Sequence, residues 1–215
     1  MTMTIQSIQI GRVITEGDPE SSDLLGRRWT TGFYKLPAVG PVKLSQLGLL
    51  GDAVADTRHH GGPDKAVLCY AASHYQQWAD EYPELGMSAG ALAENLTLSG
   101  ADESSVCLGD RYRAGECEIE VSQPRQPCWK IARRWGIKTL TKRVAQTGRT
   151  GWYVRVITEG TLRIGQSFEL LDRPHPDWPV ARANDVMFGR VVDRLAVIDL
   201  MNVNELADAW RADLA

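Results

Sequence analysis

Only four cysteines, Cys69, Cys107, Cys117 and Cys128, occur among 215 residues. They are too few to staple a chain of this size with disulfides, so free thiols in a reducing compartment are expected. No apolar run approaches the roughly 20 residues that a membrane helix needs. The opening Met1-Thr-Met-Thr-Ile5 has neither a basic region nor an apolar signal stretch. A cytoplasmic protein without a membrane partner is therefore expected. The chain also lacks C-x-x-C and H-E-x-x-H, the usual ligand sets of structural zinc sites and zinc proteases. It has neither the G-x-G-x-x-G of dinucleotide-binding proteins nor the G-x-x-x-x-G-K-[ST] of phosphate-binding loops. Its scattered cysteines do not suggest an iron–sulfur cluster. Any redox chemistry must draw its electrons from outside the chain.

The chain is 43% hydrophobic and 24% charged, which fits an ordinary globular protein with one main domain. The net charge of −3 hides a polarised arrangement. Residues 80–120 hold ten acidic side chains and two basic ones, whereas residues 125–163 hold ten Arg or Lys and only Glu159 as an acid. A basic block of this kind receives an anionic cofactor, a substrate phosphate or a nucleic-acid backbone, or is simply a solvated helix face.

Short β-rich pieces broken by Gly, Pro, Asn and Asp run through most of the chain, at Ile5–Ile10, Trp29–Phe33, Val42–Leu44, Ala66–Tyr70, Asn95–Leu98, Arg111–Arg113, Cys117–Val121, Trp152–Ile157 and Ser167–Leu171. Many short strands and few helices predict a mostly β barrel. Between them, Tyr75, Trp78 and Tyr82 recur at helical spacing, which predicts a helix over His74–Glu81 that ends before Pro83. Pro127–Trp135 and Ile137–Gln146 also read as helices, with Pro127 suited to a first turn and Cys128 in that opening turn. After the proline-rich stretch Arg173–Pro179 come three helical patterns, near Val180–Met187, Val191–Ile198 and Asn204–Asp213. The expected division is a barrel domain over 1–173 and a three-helix C-terminal domain over 178–215.

Chemistry concentrates in Ser122-Gln-Pro-Arg-Gln-Pro-Cys-Trp-Lys130, where two prolines stiffen the approach to Cys128 and Arg125 and Lys130 stand nearby. Helix-start N–H groups and adjacent cations favour an ionised thiol, fit for a metal or for nucleophilic attack; the alternative is a buried, inert cysteine. A second candidate is His59-His60-Gly61-Gly62-Pro63-Asp64-Lys65-Ala66. Its glycines permit close backbone approach to a ligand, while His60 and Asp64 have the chemistry to move protons. Read blandly, the same residues are a turn entering a strand. Glu94-Asn95 precedes a strand and reads as a turn with Asn95 bonding locally. His74 is expected to be structural or exposed, His175 exposed, and Cys69, Cys107 and Cys117 core residues.

Taken in order, His60-Gly-Gly-Pro-Asp-Lys-Ala66, Glu94-Asn-Leu-Thr97, Leu108-Gly-Asp110 and Ser122-Gln-Pro-Arg-x-Pro-Cys-x-Lys130 resemble the MOSC family, most closely its YiiM-like branch. That family is related to the C-terminal domain of molybdenum-cofactor sulfurases and to the mitochondrial amidoxime-reducing enzymes. The resemblance spans roughly Ile5 to Leu171. It implies a β barrel with a cleft for a molybdopterin-type molybdenum cofactor, followed by a small three-helix appendage. It also implies Cys128 as the molybdenum ligand, with His60, Asp64, Glu94, Asn95, Arg125 and Lys130 at positions around the cleft and Gly61, Gly62 and Lys65 beside them. Arg125, Lys130, Arg133 and Arg149 have the chemistry to pair with the cofactor's phosphate. Where relatives usually read Gly-Glu-Asn-Leu, this chain has Ala93-Glu-Asn-Leu96, so a turn requiring positive φ there would be restricted.

The function implied is reduction of an N-hydroxylated compound, a hydroxylamine or hydroxylated base analogue such as 6-hydroxylaminopurine, to the amine. Electrons would come from an external donor protein and protons from His60 or Asp64, with nucleic acid not expected as a partner. Two alternatives use the same residues differently: a sulfur carrier with a Cys128 persulfide, and a non-catalytic cofactor or nucleotide binding module built on the basic block.

Overall fold

In the computed structural model, residues 2–214 are described. The elements are β1 (Met3–Ile10), β2 (Ile14–Glu16), β3 (Trp29–Thr31), β4 (Leu36–Pro37), β5 (Val42–Ser45), β6 (Gly48–Leu49), β7 (Val67–Ala71), α1 (His74–Glu81), β8 (Leu96–Ser99), β9 (Arg111–Ala114), β10 (Cys117–Pro124), α2 (Lys130–Trp135), α3 (Leu140–Thr147), β11 (Trp152–Thr158), β12 (Gly160–Leu162), β13 (Ser167–Asp172), α4 (Val180–Met187), α5 (Arg194–Met201) and α6 (Asp208–Leu214). Two single 3₁₀ turns, Pro63–Lys65 and Pro83–Leu85, interrupt the loops.

Seven strands close on themselves in the order β13, β9, β10, β11, β7, β8, β1 and back to β13. The mostly β barrel with helices is therefore present as read from the sequence. Alternation decides which side chains fill it: Cys117, Ile119 and Val121 of β10 and Trp152, Val154 and Val156 of β11 are buried, while the residues between them are only half-buried. Every barrel pair is antiparallel except β7 with β8, and those two are joined by the segment that carries α1. Closure leaves these strands without a free edge.

The last three helices pack into the same apolar core as the barrel strands, with Val180, Ala183, Leu200, Leu206 and Trp210 buried there. The proline-rich stretch is pinned to the barrel as well. Leu108 N donates to the Trp178 carbonyl and Val180 N to that of Val106, both at 2.9 Å. Farther along, Ala207 N donates to the Ser122 carbonyl at 3.0 Å. Cys69, Cys107 and Cys117 are buried, as expected of core residues. His175 corrects its expectation: it is half-buried and meets Glu205 at 2.6 Å. His74 is buried on Glu103, also at 2.6 Å.

Candidate functional site

Loops at one side of the barrel form a cleft whose wall includes His60, Gly61, Asn95, Arg125, Cys128 and Lys130. β10 ends at Pro124 and delivers Arg125 into it. The Arg125 amide is held by the Gly151 carbonyl at 3.0 Å, and its side chain donates to the Leu92 carbonyl at 3.1 Å. Cys128 lies two residues ahead of α2 rather than inside its first turn, because regular helix starts only at Lys130. Its carbonyl accepts from Ile131 N and from the Thr141 hydroxyl, both at 3.1 Å, which fixes the backbone while the free thiol stays half-buried at the cleft.

Arg125 is 4% exposed, yet its Nη1 has no hydrogen-bond partner. Lys130 is 7% exposed and, among the described residues, belongs to no ion pair. Two buried cations without a compensating carboxylate are costly in a folded chain. They leave positive charge in this cleft without a carboxylate to balance it. The same cations act on His60. Burial first, then Lys130 and Arg125, push the imidazole down to about 4, so it is neutral at pH 7. His60 is therefore not a cationic proton donor there.

Asn95 bonds across the fold rather than locally. Its Oδ1 accepts from Leu68 N at 3.1 Å, and its Nδ2 donates to Asp52 at 2.9 Å and to the Gln9 carbonyl at 3.3 Å. Glu94 is fully buried behind the wall. Its carboxylate accepts from Gly90 N at 2.7 Å, Leu92 N at 3.2 Å, Thr97 Oγ1 at 2.9 Å and the Tyr75 hydroxyl. Glu94 thus shapes the loop whose Leu92 carbonyl receives Arg125. Within that loop Ala93 takes φ 66°, the only positive φ outside glycine among the described residues. The left-handed turn is kept despite the alanine.

This chain belongs to the MOSC domain family. The MOSC domain model matches residues 56–169. The chain is 40% identical over 196 residues to the uncharacterized protein YflK of Bacillus subtilis, covering 91% of this chain and 88% of that protein. It is 39% identical over 171 residues to a protein of Gibberella moniliformis named "Reductase", covering 78% of this chain but 30% of that longer protein. The crystal structure of YiiM from Geobacillus stearothermophilus superposes with a TM-score of 0.81 at 32% identity, over 99% of this chain and 97% of that one. MOSC domains are associated with molybdenum-cofactor-related proteins.

Several residues expected around the MOSC cleft lie elsewhere. Asp64 is gripped by Arg155, whose Nε lies at 2.9 Å and Nη2 at 2.8 Å; the same guanidinium reaches Glu120 at 2.8 Å and the Glu205 carbonyl at 2.9 Å. It braces the His60–Lys65 turn against β10, β11 and the C-terminal segment rather than facing the cleft. Lys65 lines the cleft but donates to the His59 carbonyl at 3.0 Å. Gly61, at φ 73°, faces Val54, whereas the exposed Gly62, at φ 84°, shapes the turn without lining the cleft. Arg149 pairs with Glu81 and lies 3.7 Å over the Trp78 ring, outside the cleft wall. Arg133 sits on the outer shoulder, against Trp129 and Trp29. The basic block is therefore dispersed, with Arg143, Arg149 and Arg155 each neutralised by carboxylates.

Sequence reading missed Lys35, Asp52 and Tyr153. Lys35 and Asp52 form an ion pair in the cleft wall, with Asp52 also accepting from Gly11 N at 2.8 Å. Both precede the matched segment, and only the glycine turn before Asp52 marks it in the sequence. Burial raises the Tyr153 phenol, against a smaller opposing pull from Arg125.

Proposed function

We propose that this chain is a molybdenum-cofactor protein that reduces N-hydroxylated compounds to amines with electrons from an external donor protein. The observation that carries the reading is a half-buried free thiol sharing one cleft with two buried cations, one of which has an unpartnered nitrogen. A soft thiolate suits molybdenum, and Arg125 and Lys130 suit an anionic phosphate. No group of three or more His, Cys, Asp or Glu side chains among the described residues could hold a metal ion, so Cys128 would be a single protein ligand to a metal otherwise held by its pterin. A bound molybdenum–pterin group would supply the two-electron chemistry.

The chain's own groups bind and orient. Arg125 and Lys130 would hold the anionic part of the cofactor and Cys128 its metal, while Asn95 and the Gly61 turn shape the wall. His60 lines the wall and would offer the substrate a ring nitrogen as a hydrogen-bond partner. Overall, the hydroxylamine takes up two electrons and two protons, the N–O bond breaks, and amine and water leave. Lys35 and Asp52 form an ion pair in the same wall.

Metal and pterin analysis of protein from hosts able and unable to make the molybdenum cofactor tests this reading. Stoichiometric molybdenum only from the competent host is expected, and Cys128→Ala or Cys128→Ser should lose both the metal and turnover while keeping the wild-type circular dichroism. A molybdenum-free wild-type protein, or full activity in Cys128→Ala, would remove the reading. A labile extra sulfur in the intact mass would favour the sulfur carrier instead.

A further inference from the structure

The shoulder beside the cleft plays no part in the chemistry above. Trp129, placed between the cleft residues Cys128 and Lys130, leaves 52% of its surface exposed. Its indole is held in place, with the Arg133 guanidinium 4.9 Å and the Trp29 ring 5.6 Å from its centre. Arg133 in turn donates to the Arg27 carbonyl at 3.0 Å. Next along α2, Arg134 stacks on Tyr34 at 4.6 Å and on Trp135 at 4.4 Å. Among the described residues, Arg27, Arg28, Arg133 and Arg134 have no carboxylate within ion-pair distance; of the acids beside them, Glu16 accepts from the Tyr34 hydroxyl and Asp23 pairs with Lys138.

A large exposed indole among arginines that form no ion pair has the composition of an interface centre, where Trp and Arg dominate binding energy. It is also rigid, so little side-chain freedom is lost on contact. The positive field selects a partner of opposite sign and speeds its approach. We propose that this shoulder docks the external electron donor, and that the donor is a small one-electron carrier with an acidic rim, of the flavodoxin or ferredoxin class. The proposal rests on the reductase reading, which requires such a donor. A carrier seated on Trp129 stands one residue from Cys128, and two successive one-electron deliveries meet the demand of each N–O cleavage.

The test uses an acidic bacterial flavodoxin as probe and the full-length, cofactor-free chain, with affinity measured calorimetrically at low and high ionic strength. Wild-type binding should weaken with salt. Trp129→Ala and the double variant Arg27→Glu/Arg134→Glu should each weaken it by ~10-fold or more, and the double variant should flatten the salt dependence. If Trp129→Ala fails to fold, Trp129→Phe and the charge variant carry the test.

Unchanged flavodoxin affinity in both variants overturns the proposal. So does preferential binding of short duplex DNA or anionic vesicles at the same residues, which would make the shoulder a nucleic-acid or membrane surface. Turnover of the cofactor-loaded protein with a reduced viologen, which needs no docking, reads the reductase assignment separately. Its absence alongside intact flavodoxin binding would remove the substrate reading and leave the docking surface. Its persistence, with flavodoxin-driven turnover unaltered in Arg27→Glu/Arg134→Glu, would remove the docking surface alone.

Discussion

Arg125 and Arg149 are almost equally buried, at 4% and 5% exposed, and each has an Nη1 without a partner. At the corner of α1 and α3, Arg149 is matched by the Glu81 carboxylate and stacked on Trp78. In the cleft, Arg125 has a backbone carbonyl as its side-chain partner and Lys130 as a neighbour of the same sign. One arginine is compensated by the fold, and the other would be compensated by the anionic ligand proposed above. Charge balance, rather than burial or cationic character, separates a structural arginine from a binding one.

The sharpest way to break this comparison is to replace each arginine by an uncharged side chain of similar length. Arg149→Met leaves Glu81 without its buried partner and should cost about 2–3 kcal/mol, seen as a melting temperature lower by roughly 4–12 °C. Arg125→Met removes an unmatched charge and should leave the melting temperature within roughly 3 °C of wild type while abolishing retention of an anionic cofactor. A large loss of stability in Arg125→Met, or none in Arg149→Met, would put both arginines in one class.

A smaller effect follows from His60, whose imidazole sits at about 4 in the fold, below its ordinary 6.5. The unfolded chain takes up this proton first as pH falls, so stability should decline from pH 6.5 towards 4 and be flat above 6.5 with respect to this group. The urea midpoint of wild type should therefore fall relative to that of His60→Gln as the pH is lowered from 6.5 towards 4. Phosphate in the cleft should move the imidazole titration upward in NMR spectra, because it offsets Lys130 and Arg125. The smallest change is Ala93→Gly, which relieves a left-handed alanine and should raise stability by ~0.5–1 kcal/mol. A loss instead would mean that the methyl group packs in a way that outweighs its backbone strain.

Much of this architecture was readable from residue patterns. The aromatic spacing placed α1 at His74–Glu81, and alternation located β9, β10, β11 and β13 to within a few residues. Helix starts were less legible: α2 and α3 each begin three residues late, and neither has a side-chain cap to mark its entry. In the site, chain continuity linked Arg125, Cys128 and Lys130, but nothing local showed that Asp64 would be taken by Arg155, 91 residues away. Nor did it show that Asp52 would meet Asn95 across a gap of 43. Charged side chains in a turn look alike until their distant partners are known.

Arg155 has one more consequence, for how the protein can be shortened. It joins Asp64, Glu120 and the Glu205 carbonyl at a single guanidinium. A chain ending before Val180 would strip the lid from part of the barrel interior and remove one anchor of the loop that carries His60. The three terminal helices thus act as a keystone for the His60–Lys65 turn, and trimming them is expected to loosen a region far away in the sequence.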